Sequence, residues 1–243
     1  MNQTIQQLFD RKSVRVFTQQ EITEEQRDLI LQAAVQAPTA GNQQLYTILN
    51  VTDQHIKDQL VATCDNQPFI AEAKLVLIFC ADCKKWYDAF CFSGCEPRKP
   101  GVGDLALAMA DAIIAAQNAV VAAQSMGIGS CYIGDIMENC ERQRVLLNLP
   151  KYVFPACMVV FGYPTAQQLE RKKPLRSPME TIVHENAYRE MGAEELRHML
   201  STRPAPTTTY DKWIRAFCER KFNSDFSREM TRSVGEYLKD FME

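Results

Sequence analysis

The sequence predicts a chain that mixes helices with strands, and three observations predict it. Residues 46–51, 74–82 and 153–162 are short apolar runs of strand length. Residues 104–126 form an alanine-rich stretch too long for a strand, which reads as the longest helix. The stretches around Ile5 and after Thr23 carry apolar residues at helical spacing. At 243 residues the chain can be one large domain or two small ones, and it can bury a sizeable core. Its content of 46% hydrophobic and 23% charged residues is ordinary for a globular protein. A net charge of −3 argues against a large nucleic-acid surface but permits a local basic site.

Taken in order, Ile5, Leu8 and Phe9 give a first short helix one apolar face. A basic turn, Arg11-Lys12-Ser13-Val14-Arg15-Val16-Phe17, follows. Thr23 is placed to cap a second helix, with Gln26 at the capping-box position and Leu29, Ile30, Ala33, Ala34 and Ala37 as its stripe. Pro38 and Gly41 end that helix. Residues 46–51 read as a strand and 56–62 as a short helix. Residues 74–82 are apolar on both faces and therefore central in a sheet. Residues 83–103 read as a long polar, aromatic, Gly/Pro-rich loop, the kind used as a lid or binding loop. Its Trp86, Tyr87, Phe90 and Phe92 either form an aromatic lid or pack beneath the loop.

The helix at 104–126 has so little charge that it requires burial on nearly all sides, at a domain centre or a subunit interface. Gln117, Asn118, Gln124 and Ser125 argue against a membrane span. Residues 127–135 read as a turn and short strand, 138–147 as a small surface helix, and 153–162 as a third long strand. A basic element, Glu170-Arg171-Lys172-Lys173-Pro174-Leu175-Arg176, cannot be continuous helix through Pro174. Residues 202–209 read as a linker. The tail from Tyr210 reads as one or two helices that must pack on the body or on a partner chain, because so few residues cannot build their own core. The division expected is a domain over 1–200 and a helical arm over 201–243.

Two segments carry the chemistry. Arg11, Ser13 and Arg15 can clamp a phosphate, since guanidinium groups form paired charge-assisted bonds to phosphate oxygens and a serine adds a short donor. Alone, the same residues could be a solvated turn. The loop Ala37-Pro38-Thr39-Ala40-Gly41-Asn42-Gln43-Gln44 can offer neutral donors and acceptors to a polar ring, or simply end a helix. Nine cysteines include the spacing C-x2-C-x7-C-x3-C at Cys80, Cys83, Cys91 and Cys95. Metal sites use such thiolates, but Cys80 ends an apolar run, no second C-x2-C pair follows and no histidine lies nearby. Free thiols are expected and no metal. The N-terminus lacks the apolar core of a signal peptide, so a reducing cytoplasmic location is expected.

Five elements recur here in a known order: R-K-S-V-R-V-F, the Pro-Thr-Ala-Gly-Asn-x-Gln loop, Gln67 in a polar turn, G-x-G-x-x-Y-I-G after a long alanine-rich helix, and a K-P-x-R element before V-H-E-N. The ordered set resembles the nitroreductase family, most closely its NADPH-preferring branch of flavin and nitro reductases. The resemblance spans about residues 4–188. It implies an α+β fold with a central mixed β-sheet flanked by helices. It also implies FMN and a domain-swapped homodimer, with an extended C-terminal arm wrapping the partner and each flavin at the interface.

Carried over by position, the resemblance implies that Arg11, Ser13 and Arg15 grip the FMN phosphate, with Lys173 or Arg176 closing the other side. Pro38, Thr39, Ala40 and Asn42 would line the pyrimidine edge and ribityl chain. Gln67 would bond the ribityl or ring, and Tyr132, Ile133, Gly134 and Asp135 would pass beside the ring. Asp135 departs from the family, which commonly has a second glycine there; its carboxylate would lower the flavin potential or point to solvent. Arg203, and after it Arg232, would serve the extra phosphate of NADPH. No catalytic dyad is expected among His55, His184 and His198, because flavin chemistry asks position and electrostatics of the protein rather than side-chain catalysis. The function expected is NAD(P)H-dependent reduction of nitroaromatics, quinones or free flavins by alternating hydride transfer. The alternatives are a specialised branch (flavin destruction, dehalogenation or ring dehydrogenation) and a non-catalytic flavin-binding protein.

Overall fold

Four strands carry the fold: β1 (Tyr46–Asn50), β2 (Leu75–Asp82), β3 (Gly129–Ile133) and β4 (Val153–Gly162), in the order β1-β2-β4-β3. They come from a computed structural model that describes residues 1–205 and 207–242. The predicted linker includes Pro206, and the predicted arm ends at Glu243; both of these residues lie outside the described ones. Neighbouring strands pair antiparallel throughout. Among the described residues, the parallel pairing expected of a mixed sheet is limited to an isolated bridge between Ser13 and Ser130. β2 and β4 are buried along their whole length, as unbroken apolar runs require. Pro155 sits inside β4 where no ladder N–H can be offered, and the register with β2 shifts at that point, between Phe79 and Cys80.

Helices cover the sheet. α1 (Gln3–Asp10) and α2 (Glu24–Val35) precede it, and α2 opens with the expected capping box: Gln26 N–H donates to Thr23 Oγ1 at 3.2 Å and Thr23 N–H to Gln26 Oε1 at 3.1 Å. α3 (Gln54–Thr63) and the single turn α4 (Phe69–Glu72) lie between β1 and β2. The segment after β2, expected as a loop, begins as helix α5 (Lys84–Phe92). Its Gly and Pro residues all fall beyond it, and the Asp82 carboxylate accepts the Lys84 and Lys85 N–H groups at 3.0 and 3.2 Å. The cap is thus supplied from inside the preceding strand. α6 (Val102–Ser125) packs across β2 and β4 with α2 on its flank. It is long and apolar enough to cross a membrane, yet its alanines at 108, 112, 115, 116, 119 and 123 are buried in the core. α7 (Cys140–Leu146) and α8 (Ala166–Glu170) follow β3 and β4 respectively.

The chain divides into two compact units, residues 1–171 with 229–243, and residues 172–228. The second unit holds α9 (Ala193–Leu200), α10 (Tyr210–Lys221) and the start of α11 (Asp225–Leu238). Within it Arg197 stacks on Tyr210 and pairs with Asp211 at 3.1 Å. The later part of α11 belongs to the first unit. There Tyr237 is buried edge-on against Phe154 with ring centroids 5.0 Å apart, and Arg144 pairs with Asp240 at 2.6 Å. That stretch of the tail therefore packs on its own body.

Candidate cofactor site

The basic turn is shaped by two buried anchors. Val14 lies against β3 at Gly129, where an added Cβ would sit 2.6 Å from a Val14 methyl. Phe17 lies against the end of β4 at Gly162, where a Cβ would sit 2.6 Å from the Phe17 ring. Val14 N–H donates to Ser130 O at 2.9 Å and Thr18 N–H to Tyr163 O at 2.8 Å. Both glycines are thus required by close approach, and they fix the register of the arm. With Val14 turned inward, Arg11, Ser13 and Arg15 converge on the Cys131 side chain. Burial raises the Cys131 thiol pKa, while the positive charges of Arg15 and Arg11 and the Ser13 side chain oppose that rise.

Arg171 completes this cluster, donating from its guanidinium to Ser13 O, and Arg15 N–H donates to Gln168 Oε1 at 3.3 Å. The sequence placed Arg171 in a basic element without assigning it a role. Lys12, between two of the site residues, caps α8 instead: its Nζ donates to Leu169 O at 2.6 Å and to Arg171 O. The Arg15 guanidinium lies 6.0 Å from the Phe69 ring. Two residues before that ring, Gln67 Nε2 donates to Asp135 Oδ2 at 2.8 Å and to Cys64 O at 3.0 Å. The carboxylate that departs from the family pattern is therefore tied down by Gln67. Tyr132 donates its hydroxyl to Gln117 Oε1 at 3.3 Å, burial raising its pKa, and Ile133 is buried beside it.

The 38–42 loop belongs to a different place. Buried Asp111 on α6 accepts from Thr39 Oγ1, from Ala40 N at 3.0 Å and from Leu45 N at 3.2 Å. Gly41 and Asn42 follow in the left-handed region, and Pro38 and Asn42 stay exposed. Asp111 was not legible as a site residue, because a single acid in an alanine-rich helix carries no pattern. It lies in the N-terminal half of α6, fourteen residues from its end at Ser125. At ~1.5 Å per residue that is about 21 Å of helix. Ser13, by contrast, is bridged to Ser130 on β3, the strand that follows α6 in sequence and lies beside it where Tyr132 bonds Gln117. One chain brings Arg11, Ser13, Arg15, Gln67, Tyr132 and Asp135 into one neighbourhood and holds Pro38, Thr39, Ala40 and Asn42 in another.

Lys173, Arg176 and Arg203 lie in the second unit. Arg232 lies in the first and is already engaged: it holds Glu141 through two bonds of 2.8 and 2.9 Å and Glu229 at 2.8 Å. Glu141 and Glu229 are held down to about 2 by that guanidinium. All nine cysteines are free thiols, and among the described residues no three His, Cys, Asp or Glu side chains group as metal ligands.

The model of the nitroreductase family matches residues 8–163. Over 97% of its length the chain is 32% identical to an FMN reductase (NADPH) of Bacillus subtilis, of which it covers 88%. The chain belongs to the nitroreductase family. An oxygen-insensitive NADPH nitroreductase of Salmonella typhimurium is 33% identical over 77% of this chain and 75% of that protein. The structure of the NADPH:FMN oxidoreductase of Vibrio harveyi complexed with NAD+ superposes with a TM-score of 0.82 at 27% identity, covering 98% of each chain. The α+β architecture of this nitroreductase-family member is thus that of its solved relatives. Its donor set fits a phosphate-bearing group: two guanidinium groups and a hydroxyl converge, with Arg15 exposed and the arm's backbone fixed behind them.

Proposed function

We propose that this chain is an FMN-dependent NAD(P)H oxidoreductase that reduces nitroaromatics, quinones or free flavins, with NADPH as donor. FMN, when bound, supplies the hydride chemistry. The protein binds and orients. Arg11, Ser13 and Arg15 hold the phosphate, with Arg171 added to their number. Gln67, Tyr132, Ile133, Gly134 and Asp135 border the ring, and Pro38, Thr39, Ala40 and Asn42 line its polar edge. Lys173 and Arg176 are further phosphate contacts, and Arg203 is the leading contact for the donor's extra phosphate. Arg232 is the weaker choice, since two carboxylates already share its charge. The observation that carries this reading is the basic arm of Arg11, Ser13 and Arg15, laid beside β3 through the Ser13–Ser130 bridge, joined by Arg171 at Ser13 O, in a register that two glycines fix.

The working form proposed is a homodimer in the cytoplasm, with each flavin shared between subunits. Two observations support it. The phosphate cluster and the 38–42 loop are held at separate places along α6, so a second copy would complete each site. The solvent side of α6 carries exposed Val102, Leu107, Ile113 and Ile114, an apolar face suited to a second copy.

The test is spectroscopic. The protein as purified is expected to be yellow and to release FMN on heating. Anaerobic NADPH should bleach it promptly, and a nitroarene or quinone should restore the colour. A colourless protein that refuses micromolar FMN, or a yellow one that NADPH never bleaches, contradicts the reading. Arg15→Glu should weaken FMN retention by about tenfold or more, since it replaces a charge-assisted bond with a repulsion.

A further inference from the structure

Lys57, in the first turn of α3, is the only lysine buried among the described residues, at 9% exposure. Its Nζ makes one hydrogen bond, to Ala73 O at 3.2 Å, and no carboxylate pairs with it. An ammonium carries three N–H donors, so two stay unused on a charge that has lost most of its water. Burial lowers its pKa, the Glu21 carboxylate opposes that shift, and the Lys74 ammonium adds to it.

Lys57 borders a cavity of ≈ 170 Å³ at the β1 edge of the sheet, the side away from β3. Arg27 from α2 and Lys74 at the start of β2 border it too, with Asn50 and Thr52 at the end of β1. Among the described residues no carboxylate lines it. Glu21 holds Lys74 at 2.6 Å from an exposed position, and Asp28 accepts from Arg27 Nε and Nη2 at 3.0 and 2.9 Å. Asp53, next to Thr52, is turned to α3 and accepts Ile56 N–H at 3.2 Å. Arg27 Nη1 and the side chains of Asn50 and Thr52 make no hydrogen bond among the described residues.

We propose that this cavity binds a small oxyanion of the phosphate type, free or as the end of a small ester, with the Lys57 ammonium at its centre. A phosphoryl group offers oxygens to several donors at once, and ammonium and guanidinium groups are its usual partners. Water could fill the spare donors of Lys57 but would leave its charge unbalanced; an oxyanion does both. The pairs that Arg27 and Lys74 make with exposed acids are weak and screened, so both cations can turn to a bound anion at little cost. An anion held there joins α2, α3 and β2, and its binding adds to the stability of the folded chain. The site lies outside the residues assigned to the cofactor and does not depend on that assignment.

The test is calorimetric. Inorganic phosphate and glycerol 3-phosphate are titrated separately into FMN-loaded protein, whose basic arm is then occupied, with sodium chloride balancing ionic strength. Saturable binding in the millimolar range is expected, and the tighter ligand tells a free ion from an ester. Lys57→Met keeps the buried stem and removes the ammonium; it should weaken binding about tenfold or more and leave FMN retention unchanged. Arg27→Gln, at a half-buried position, should weaken it about threefold. Phosphate stabilises folded proteins generally by exclusion, so its effect on Tm is read as a difference: the parent should gain more than Lys57→Met does. Heats that never saturate overturn the proposal, as does saturable binding that both variants keep in full, which would place the anion elsewhere. If Lys57→Met fails to fold, the Arg27→Gln titration decides. If the protein takes up no FMN, the cofactor reading fails, and the same titrations on an Arg15→Glu background still decide this site.

Discussion

The Glu138 carboxyl is buried at 5% exposure, and its Oε1 has no hydrogen-bond partner among the described residues. Asp135, Asp65 and Glu229 surround it, while the Arg232 guanidinium is spent on Glu229 and Glu141. Burial first, and these like charges second, push its pKa up to about 7 from 4.5. The folded protein therefore keeps a proton that the unfolded chain has released. Stability from this group is complete below pH 4.5 and falls as pH rises to about 7, with a slope of at most about 1.4 kcal/mol per pH unit. Glu138→Gln should remove that slope and make the protein more stable than the parent at pH 8. Urea midpoints at pH 5, 6, 7 and 8 check this; parallel profiles for the two proteins would refute it. Sequence could not reveal this residue, because two of the acids around it, Asp65 and Glu229, come from distant segments.

At the scale of elements, two glycines and one aspartate position the candidate site. Gly129→Ala drives a methyl into Val14, and Gly162→Ala drives one into Phe17. Each should cost about 1–3 kcal/mol, and more if the backbone cannot yield. Gly129→Ala should also loosen FMN retention, because the arm bearing Ser13 and Arg15 shifts with Val14; thermal melts and FMN titration of the apoprotein read both effects. Asp111→Asn should cost about 1–3 kcal/mol, since a buried amide now faces the Ala40 and Leu45 N–H donors, and it should disorder the 38–42 loop first. Proteolysis or hydrogen exchange confined to that loop would confirm it. Strands with unbroken apolar runs, the Thr23–Gln26 capping box and the order of the five motifs were legible because each is written in neighbouring residues. α5 was not, because Asp82 caps it from the end of β2 and the Gly and Pro residues that follow it mark the whole segment as loop.

At the scale of the molecule, the phosphate cluster and the neutral loop were both legible as chemistry, but their separation was not. It follows from where each is fastened: Thr39 and Ala40 to Asp111 on α6, and Ser13 to Ser130 on β3. A site completed by a second copy follows from that arrangement and from the exposed apolar face of the same helix. The direct measurement is FMN stoichiometry in a mixed dimer that joins one chain carrying Arg15→Glu to one carrying Asp111→Asn, each differently tagged. At an FMN concentration that fills the parent but not a site weakened about tenfold or more, neither variant alone should bind FMN. If each flavin is shared between subunits, the mixed dimer keeps one intact arm facing one intact loop and binds one FMN. If both parts of the site come from one chain, every site in the mixed dimer is damaged and it binds none.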